Sequence, residues 1–169
     1  MISKGHTLWL MPSGQTYERF ADLIKKPAME YNAPVFQPHI TLLGEFMQLQ
    51  DECIQKTKKL VTGQKPFVVN LQEIGFQDYF FRTLFVYAHK TSPLQNLHNK
   101  AKEIFQMQDI PSYMPHLSLL YGNFPQDVKN KIIQKIGKNQ SAQLEINSVY
   151  LVKGGEIKDW QIISGFPLA

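Results

Sequence analysis

Two short segments of this chain repeat one pattern of residue types. The first places His39 and Thr41 two positions apart in an apolar run that follows a proline, and the second does the same with His116 and Ser118. In a β-strand, residues two positions apart point to the same face. Each segment therefore predicts a strand that presents an imidazole beside a hydroxyl, with aliphatic side chains packed behind them.

The two segments also hold matching positions in a longer pattern. His39 follows Leu8, in the first predicted strand, by 31 residues, and His116 follows Phe85, in a later predicted strand, by 31 residues. We interpret the match as an internal duplication. Duplicated units tend to pack about a pseudo-twofold axis, and such an axis would place the two histidine strands opposite each other.

Hydrophobic periodicity predicts an α+β chain with a β-α-β-α-β unit that occurs twice, followed by one more strand. Strands are predicted over residues 6–11, 38–44, 66–74, 84–89, 115–122, 144–152 and 157–166. Four helices are predicted between them, the first capped by Thr16 and stopped by Pro27. The last two strands are expected to form a hairpin that turns at Gly154 and Gly155. We expect one bilobal domain with pseudo-symmetric halves at roughly 1–78 and 79–169.

Composition restricts the class of protein. Apolar residues make up 43% of the 169 residues, which is enough for a sizeable core, and the net charge is +4. A mild positive charge suits a small anionic ligand better than duplex DNA. Cys53 is the only cysteine, which predicts a reducing compartment. With no signal peptide or membrane-spanning run in the sequence, we expect a cytoplasmic monomer.

Two imidazoles and two hydroxyls around one phosphodiester suggest acid–base chemistry. A neutral imidazole can deprotonate water, and a protonated one can donate a proton to the leaving oxygen. The hydroxyls of Thr41 and Ser118 can donate to the non-bridging oxygens as charge develops. Because both proton transfers are supplied by side chains, we expect no metal and no other cofactor. A zinc site is disfavoured, since catalytic zinc needs three protein ligands and Glu45 is the only nearby carboxylate.

A structural role competes with this interpretation. A single His-x-Thr segment in a strand more often contains a core or edge histidine, so the prediction depends on the pair rather than on either copy. His6, His89 and His98 are expected to be structural or exposed. The aromatic residues are expected to lie mostly in the core, although a nucleobase would need an aromatic surface to stack on.

The paired segments resemble those of the 2H phosphoesterase superfamily, and within it the cyclic phosphodiesterase-like family of plants and fungi. The similarity runs almost end to end, over residues 8–12, 36–42, 84–98, 115–122 and 160–168. It implies two antiparallel sheets around a central cleft, with helices outside. It also implies hydrolysis of nucleoside 2′,3′-cyclic phosphates to 2′-phosphates, and of ADP-ribose 1″,2″-cyclic phosphate to the 1″-phosphate.

The resemblance assigns roles to individual residues. Carried over position by position, His39, Thr41, His116 and Ser118 form the catalytic tetrad. For the two histidines we assign His116 as the base toward water and His39 as the acid.

Substrate contacts follow from the same resemblance. Tyr121 matches a tyrosine that contacts phosphate, Trp9 matches a residue that lines the pocket, and Phe81 is expected to line it as well.

Two other functions stay open from sequence. One is an RNA-end-processing phosphoesterase that acts on 2′–5′ or cyclic-ended RNA, with short RNA ends as partners. The modest charge argues against the basic groove that such an enzyme needs. The other is a nucleotide- or RNA-binding module without catalysis, and the intact tetrad argues against that.

Overall fold

Eight strands and four helices build the chain, and a computed structural model describes residues 2–169. In chain order the elements are β1 (Ile2–Leu10), α1 (Gly14–Glu30), β2 (Ile40–Phe46), α2 (Gln50–Val61), β3 (Phe67–Gly75), β4 (Leu84–Ala88), α3 (Ser92–Phe105), β5 (His116–Leu120), α4 (Gln126–Ile136), β6 (Asn139–Ile146), β7 (Ser148–Glu156) and β8 (Gln161–Pro167). Two short 3₁₀ turns cover Phe80–Arg82 and Ile157–Asp159. The predicted α+β class is confirmed.

The eight strands form one antiparallel sheet in the order β6-β3-β4-β5-β2-β1-β7-β8. Its two halves of four strands meet where β2 pairs with β5, through the registered residues Ile40 and Leu117. Both residues are completely buried. The family resemblance implied two antiparallel sheets around a cleft, and in the structure this one pairing makes the two half-sheets continuous. The two histidine strands, which were predicted to meet, are the strands that pair at this junction.

The halves of the sheet do not coincide with the halves of the chain. One half of the sheet contains β1, β2, β7 and β8, and the other contains β3 to β6. The repeat at 1–78 and 79–169 stays an interpretation of the sequence.

The single strand predicted over 144–152 is wrong: Ile146 ends β6, Ser148 begins β7, and the two strands lie in opposite halves of the sheet. Buried apolar residues lie on both sides of the change and only Asn147 and Ser148 separate them, so periodicity gives little sign of it.

Two helices join the halves of the sheet. α1 connects β1 and β2 of one half but contacts β5 and β6 of the other, whereas α3 contacts β2 and β3, one strand from each half. Their buried faces carry the apolar residues that the 3.6-residue periodicity predicts, including Phe20 and Ile24 on α1 and Leu94 and Leu97 on α3.

In the part of the chain that the structure describes, none of the helices has the length and apolar character needed to cross a bilayer.

The predicted bounds of α1 are wrong at both ends. The helix begins at Gly14, after Ser13, and continues through Pro27 to Glu30. A proline interrupts a helix chiefly by removing one N–H donor and crowding the preceding turn. Here the proline lies in the last turn, where few bonds remain to be broken, and its own carbonyl accepts from the N–H of Tyr31 at 3.0 Å.

Gly5 offers a test of the packing between β1 and β2. Its backbone is left-handed, with φ of 67°, and an added Cβ would lie 2.2 Å from the carbonyl oxygen of Phe46. Gly63 has nearly the same φ, 69°, and open space around it. An L-residue in this region costs about 1–2 kcal/mol through backbone strain alone. We expect Gly63→Ala to lose about 1 kcal/mol in urea unfolding and Gly5→Ala about 3 kcal/mol, because only the latter displaces a strand. Equal losses would contradict the described contact.

Candidate active site

One cavity of about 400 Å³ opens at the sheet junction, and all seven residues proposed from sequence line it. They are Trp9, His39, Thr41, Phe81, His116, Ser118 and Tyr121. β2 and β5 bring the two His-hydroxyl pairs together from the centre of the sheet. His39 lies one residue before β2, and His116 is the first residue of β5. The catalytic and substrate-binding roles of these residues stay predictions.

The two imidazoles are held in the same way. Nδ1 of His39 lies 2.7 Å from the carbonyl oxygen of Gln37, and Nδ1 of His116 lies 2.8 Å from that of Met114. A carbonyl oxygen can only accept, so Nδ1 must carry the proton in both rings. In the neutral ring Nε2 then carries the lone pair. The repeated segments therefore fix the same tautomer twice, each through the carbonyl two residues before the histidine.

Aromatic rings surround His39. Trp9, from the neighbouring strand β1, stacks on the imidazole with ring centroids 3.7 Å apart and planes within 9°. Phe36 and Trp160 meet the same imidazole edge-on, at 6.2 and 6.1 Å. Only 4% of His39 is exposed. Burial lowers the pKa of His39, the bond to the Gln37 carbonyl opposes the shift, and positive charge on His116 adds to it, so that the pKa is about 4.

His116 has a different environment. It is partly exposed, and Phe85 meets its ring edge-on at 5.1 Å. Burial lowers the pKa of His116, the bond to the Met114 carbonyl opposes the shift, and the charge of Arg82 lowers the pKa further. Arg82 also lines the cavity and lies over the ring of Tyr79 at 5.7 Å. Its guanidinium is a suitable contact for an anion in the cavity.

The hydroxyl groups lie beside the imidazoles. Ser118 is buried and donates from Oγ to the carbonyl oxygen of Phe81 at 3.2 Å. Thr41 is half-buried on the facing strand. Tyr121 stacks on Phe36 at 3.8 Å, and burial raises the pKa of its phenol, a shift opposed by a hydrogen bond with Ser118. Tyr121 therefore keeps its proton and can act as a donor.

The structure adds cavity residues that the sequence did not indicate. Trp160 lines the cavity and donates from its indole N–H to the carbonyl oxygen of Gly155 at 3.3 Å. Tyr113 and His98 line it as well. His98 was expected to be structural or exposed, and it is buried at the cavity wall. A sequence signal existed for Trp160 and His98, which belong to segments that carry the family resemblance, and not for Tyr113.

Metal-ligating side chains do not cluster at the cavity in the described part of the chain. Among residues 2–169, no group of three or more His, Cys, Asp or Glu side chains has the arrangement needed to hold a metal ion. Glu45 lines the cavity, but its carboxylate accepts from the backbone N–H of Lys4 at 3.4 Å. The residues present do not form a metal centre by themselves, and independence from metal stays a prediction.

The fold and the paired segments define a 2H phosphoesterase domain. Residues 5–157 match the sequence profile of the 2′-5′ RNA ligase superfamily, and the chain belongs to this family of phosphoesterases. The family resemblance predicted from the two His-x-Thr/Ser segments is thereby confirmed, and so is the classification of the chain as an enzyme of the phosphoesterase class.

Two curated relatives have activity names. The chain is 25% identical over 130 residues to a cyclic phosphodiesterase of Arabidopsis thaliana, an alignment that covers 77% of this chain and 72% of the relative. It is 26% identical over 164 residues to a 2′,3′-cyclic-nucleotide 3′-phosphodiesterase of Phaeosphaeria nodorum, with 84% of each chain covered.

Solved structures share the fold at low identity. Apo LigT of E. coli is similar with a TM-score of 0.66 and 13% identity, over 100% of this chain and 99% of that one. LigT of E. coli complexed with 3′-AMP is similar with a TM-score of 0.62 and 12% identity, over 99% of both chains. The protein TT0787 of Thermus thermophilus is similar with a TM-score of 0.64 and 15% identity, over 99% of this chain and 98% of that one.

The buried imidazole of His39 should make stability depend on pH. Its pKa is 6.5 when exposed and about 4 when folded, so the unfolded chain binds the proton more tightly. The contribution of this group to the free energy of unfolding is at its maximum above pH 6.5. It falls by about 3 kcal/mol in total as the pH falls toward 4. We expect urea unfolding between pH 7 and 4 to show that loss, on top of the losses from other histidines.

His39→Phe isolates the contribution of that one histidine. The variant keeps an aromatic ring against Trp9 and removes the titrating group. The difference in unfolding free energy between wild type and variant should change by about 3 kcal/mol over this pH range. A difference that does not change with pH would contradict the burial of a neutral imidazole.

Proposed function

We propose that this chain is a metal-independent cyclic phosphodiesterase that hydrolyses ribose cyclic phosphates. The observation that carries the proposal is the pair of imidazoles in one cavity, each held at Nδ1 by a backbone carbonyl. General acid–base catalysis of phosphodiester hydrolysis needs two groups, one to accept a proton from water and one to donate a proton to the leaving oxygen. Two side chains with the same ordinary pKa can divide these roles.

The reaction follows from this division. Nε2 of His116 accepts a proton from water as the water oxygen forms a bond to phosphorus. The bond from phosphorus to the 3′-oxygen breaks, and Nε2 of His39 protonates that oxygen, which leaves a 2′-phosphate. Thr41 and Ser118 donate hydrogen bonds to the non-bridging oxygens, and Ser118 exchanges its bond to the Phe81 carbonyl for one to phosphate.

Substrate charge explains how a buried imidazole can serve as an acid. In the unliganded protein burial holds the pKa of His39 near 4, so this ring is neutral at pH 7. A bound phosphodiester places a negative charge beside it, which favours the protonated form. The substrate therefore promotes the protonation that its own cleavage requires, while burial, aided by the charge of Arg82, favours the neutral form of His116 that a base needs.

The relatives support the substrate class. One is named for cyclic phosphodiesters and the other for 2′,3′-cyclic nucleotides with cleavage of the 3′ bond. We therefore propose nucleoside 2′,3′-cyclic phosphates as substrates and 2′-phosphates as products. ADP-ribose 1″,2″-cyclic phosphate, with the same five-membered cyclic phosphate on a ribose, is proposed as a second substrate, converted to the 1″-phosphate.

The aromatic wall of the cavity suits a nucleobase. Phe81 and Trp160 are near-parallel, with planes within 27° and centroids 6.3 Å apart. Stacked bases in a duplex rise about 3.4 Å each, so a base between two rings needs about twice that spacing. A widening of less than about 1 Å would therefore admit one.

RNA-end processing is the second candidate, because the family's description refers to 2′–5′ RNA. A cavity of about 400 Å³ accommodates one nucleotide, and a longer RNA would have to continue along the surface outside it. A non-catalytic nucleotide-binding module is the third candidate. The cytoplasmic location and the monomeric state predicted from sequence belong to this proposal as well.

Substitution of either histidine tests the catalytic proposal. His39→Ala and His116→Ala should each lower turnover of 2′,3′-cyclic nucleotides by about 10²- to 10⁴-fold, since each removes one proton-transfer group. Turnover is measured with EDTA present on the four 2′,3′-cyclic mononucleotides, ADP-ribose 1″,2″-cyclic phosphate and a cyclic-ended oligonucleotide. Phosphorus NMR of the products identifies the bond that breaks.

The controls separate the three candidate functions. Circular dichroism and urea unfolding show that the variants fold. Preference for the oligonucleotide would favour the RNA-processing enzyme, and binding without turnover of any substrate would favour the binding module. Near-normal turnover by both single variants would end the two-histidine mechanism.

Trp160→Ala tests the base-stacking contact. Base–aromatic stacking contributes about 1–3 kcal/mol, so KM for a 2′,3′-cyclic mononucleotide should rise about fivefold or more. Ribose 2′,3′-cyclic phosphate, which has no base, is the matched control and should show an unchanged KM. An equal rise for both compounds would show that the indole supports the phosphate site instead.

A further inference from the structure

One hydrogen bond connects the two histidine segments outside the sheet ladder. Tyr113 lies in the loop between α3 and β5, and its hydroxyl donates to the carbonyl oxygen of Thr41 at 3.2 Å. Thr41 belongs to β2. The loop that leads into His116 is therefore bonded directly to the strand that follows His39.

This bond lies where the sheet ladder is sparse. β2 and β5 share one registered pair, Ile40 with Leu117, whereas β1 and β7 share six. Tyr113 also directly precedes Met114, whose carbonyl holds Nδ1 of His116. Displacement of the tyrosine would consequently move the group that orients the imidazole.

His98 holds the ring of Tyr113 in place. The imidazole and the phenol stack with centroids 3.9 Å apart and planes within 4°. Nδ1 of His98 donates to the carbonyl oxygen of Leu42 at 2.7 Å, so this pair contacts two consecutive carbonyls of β2. His98 comes from α3 and is 4% exposed. Neither residue is needed for the proton transfers proposed above.

We propose that Tyr113 and His98 are positioning residues that fix the orientation of His116 relative to Thr41 across the sheet junction. The inference rests on the proposed function, because it assigns these residues to the two-histidine site. The phenol connects the two segments, and the imidazole fixes the plane of the phenol. Neither side chain exchanges a proton with substrate.

Tyr113→Phe removes one hydroxyl and keeps the stacked ring. We expect kcat for a 2′,3′-cyclic nucleotide to fall about tenfold, with KM within about twofold of wild type, because His116 is present but no longer held in its reactive orientation. Tyr31→Phe is the matched control. Tyr31 packs edge-on against Phe124 at 6.1 Å, away from the cavity, and its substitution should leave kcat unchanged.

Proton NMR of the imidazoles gives a readout independent of turnover. In the wild type the Nδ1 proton of His116 should exchange slowly with water, since a carbonyl accepts it. In Tyr113→Phe that exchange should accelerate at least about tenfold, whereas Tyr31→Phe should leave it unchanged. His98→Phe, which keeps the stacking and removes the bond to Leu42, should accelerate the same exchange to a smaller extent.

The outcomes separate this inference from the proposed function. If His39→Ala and His116→Ala are inactive but Tyr113→Phe keeps wild-type kcat and wild-type exchange at His116, the positioning role is wrong and the catalytic proposal stands. If both alanine variants are active, the catalytic proposal fails, and the exchange measurement still tests whether Tyr113 holds His116. An equal fall of kcat in Tyr31→Phe would also overturn the positioning role, because it would reflect a general loss of packing.

Discussion

The pairing of β2 with β5 is the contact on which the rest of this structure depends. It joins two half-sheets into one sheet through Ile40 and Leu117, and it places a histidine and a hydroxyl from each strand at one cavity. A longer ladder would align the strands closely and leave less room for a ligand. The short ladder needs support from elsewhere, and the helices that cross between the half-sheets and the Tyr113 bond supply it.

The two His-x-Thr/Ser segments give their imidazoles the same hydrogen bond and different surroundings. Each histidine donates from Nδ1 to the carbonyl two residues before it. His39 is buried against Trp9, while His116 is partly exposed near Arg82. The two imidazoles are the same residue type, so packing alone makes their environments different.

Burial at the site has opposite effects on stability and on chemistry. Taking His39 out of water disfavours its charged form, which costs stability at low pH. The same exclusion of water strengthens hydrogen bonds from hydroxyl groups to a developing anion. Tyr121, whose pKa is raised by burial, stays a donor for the same reason. In the proposed reaction, the burial that costs stability would therefore also strengthen the contacts to the phosphate.

The sequence alone determined the α+β class, the apolar faces of the helices and the two His-hydroxyl pairs, because these follow from local periodicity and from a repeated pattern. Only the tertiary structure decided that β6 and β7 lie in opposite half-sheets, that α1 continues through Pro27, and that Trp160, Tyr113 and His98 reach the cavity. The physical reason is that the order of strands in a sheet, and the set of side chains that meet at a cavity, depend on contacts between residues far apart in the chain. Local sequence pattern carries no information about such contacts, apart from the repeated His-x-Thr/Ser segment.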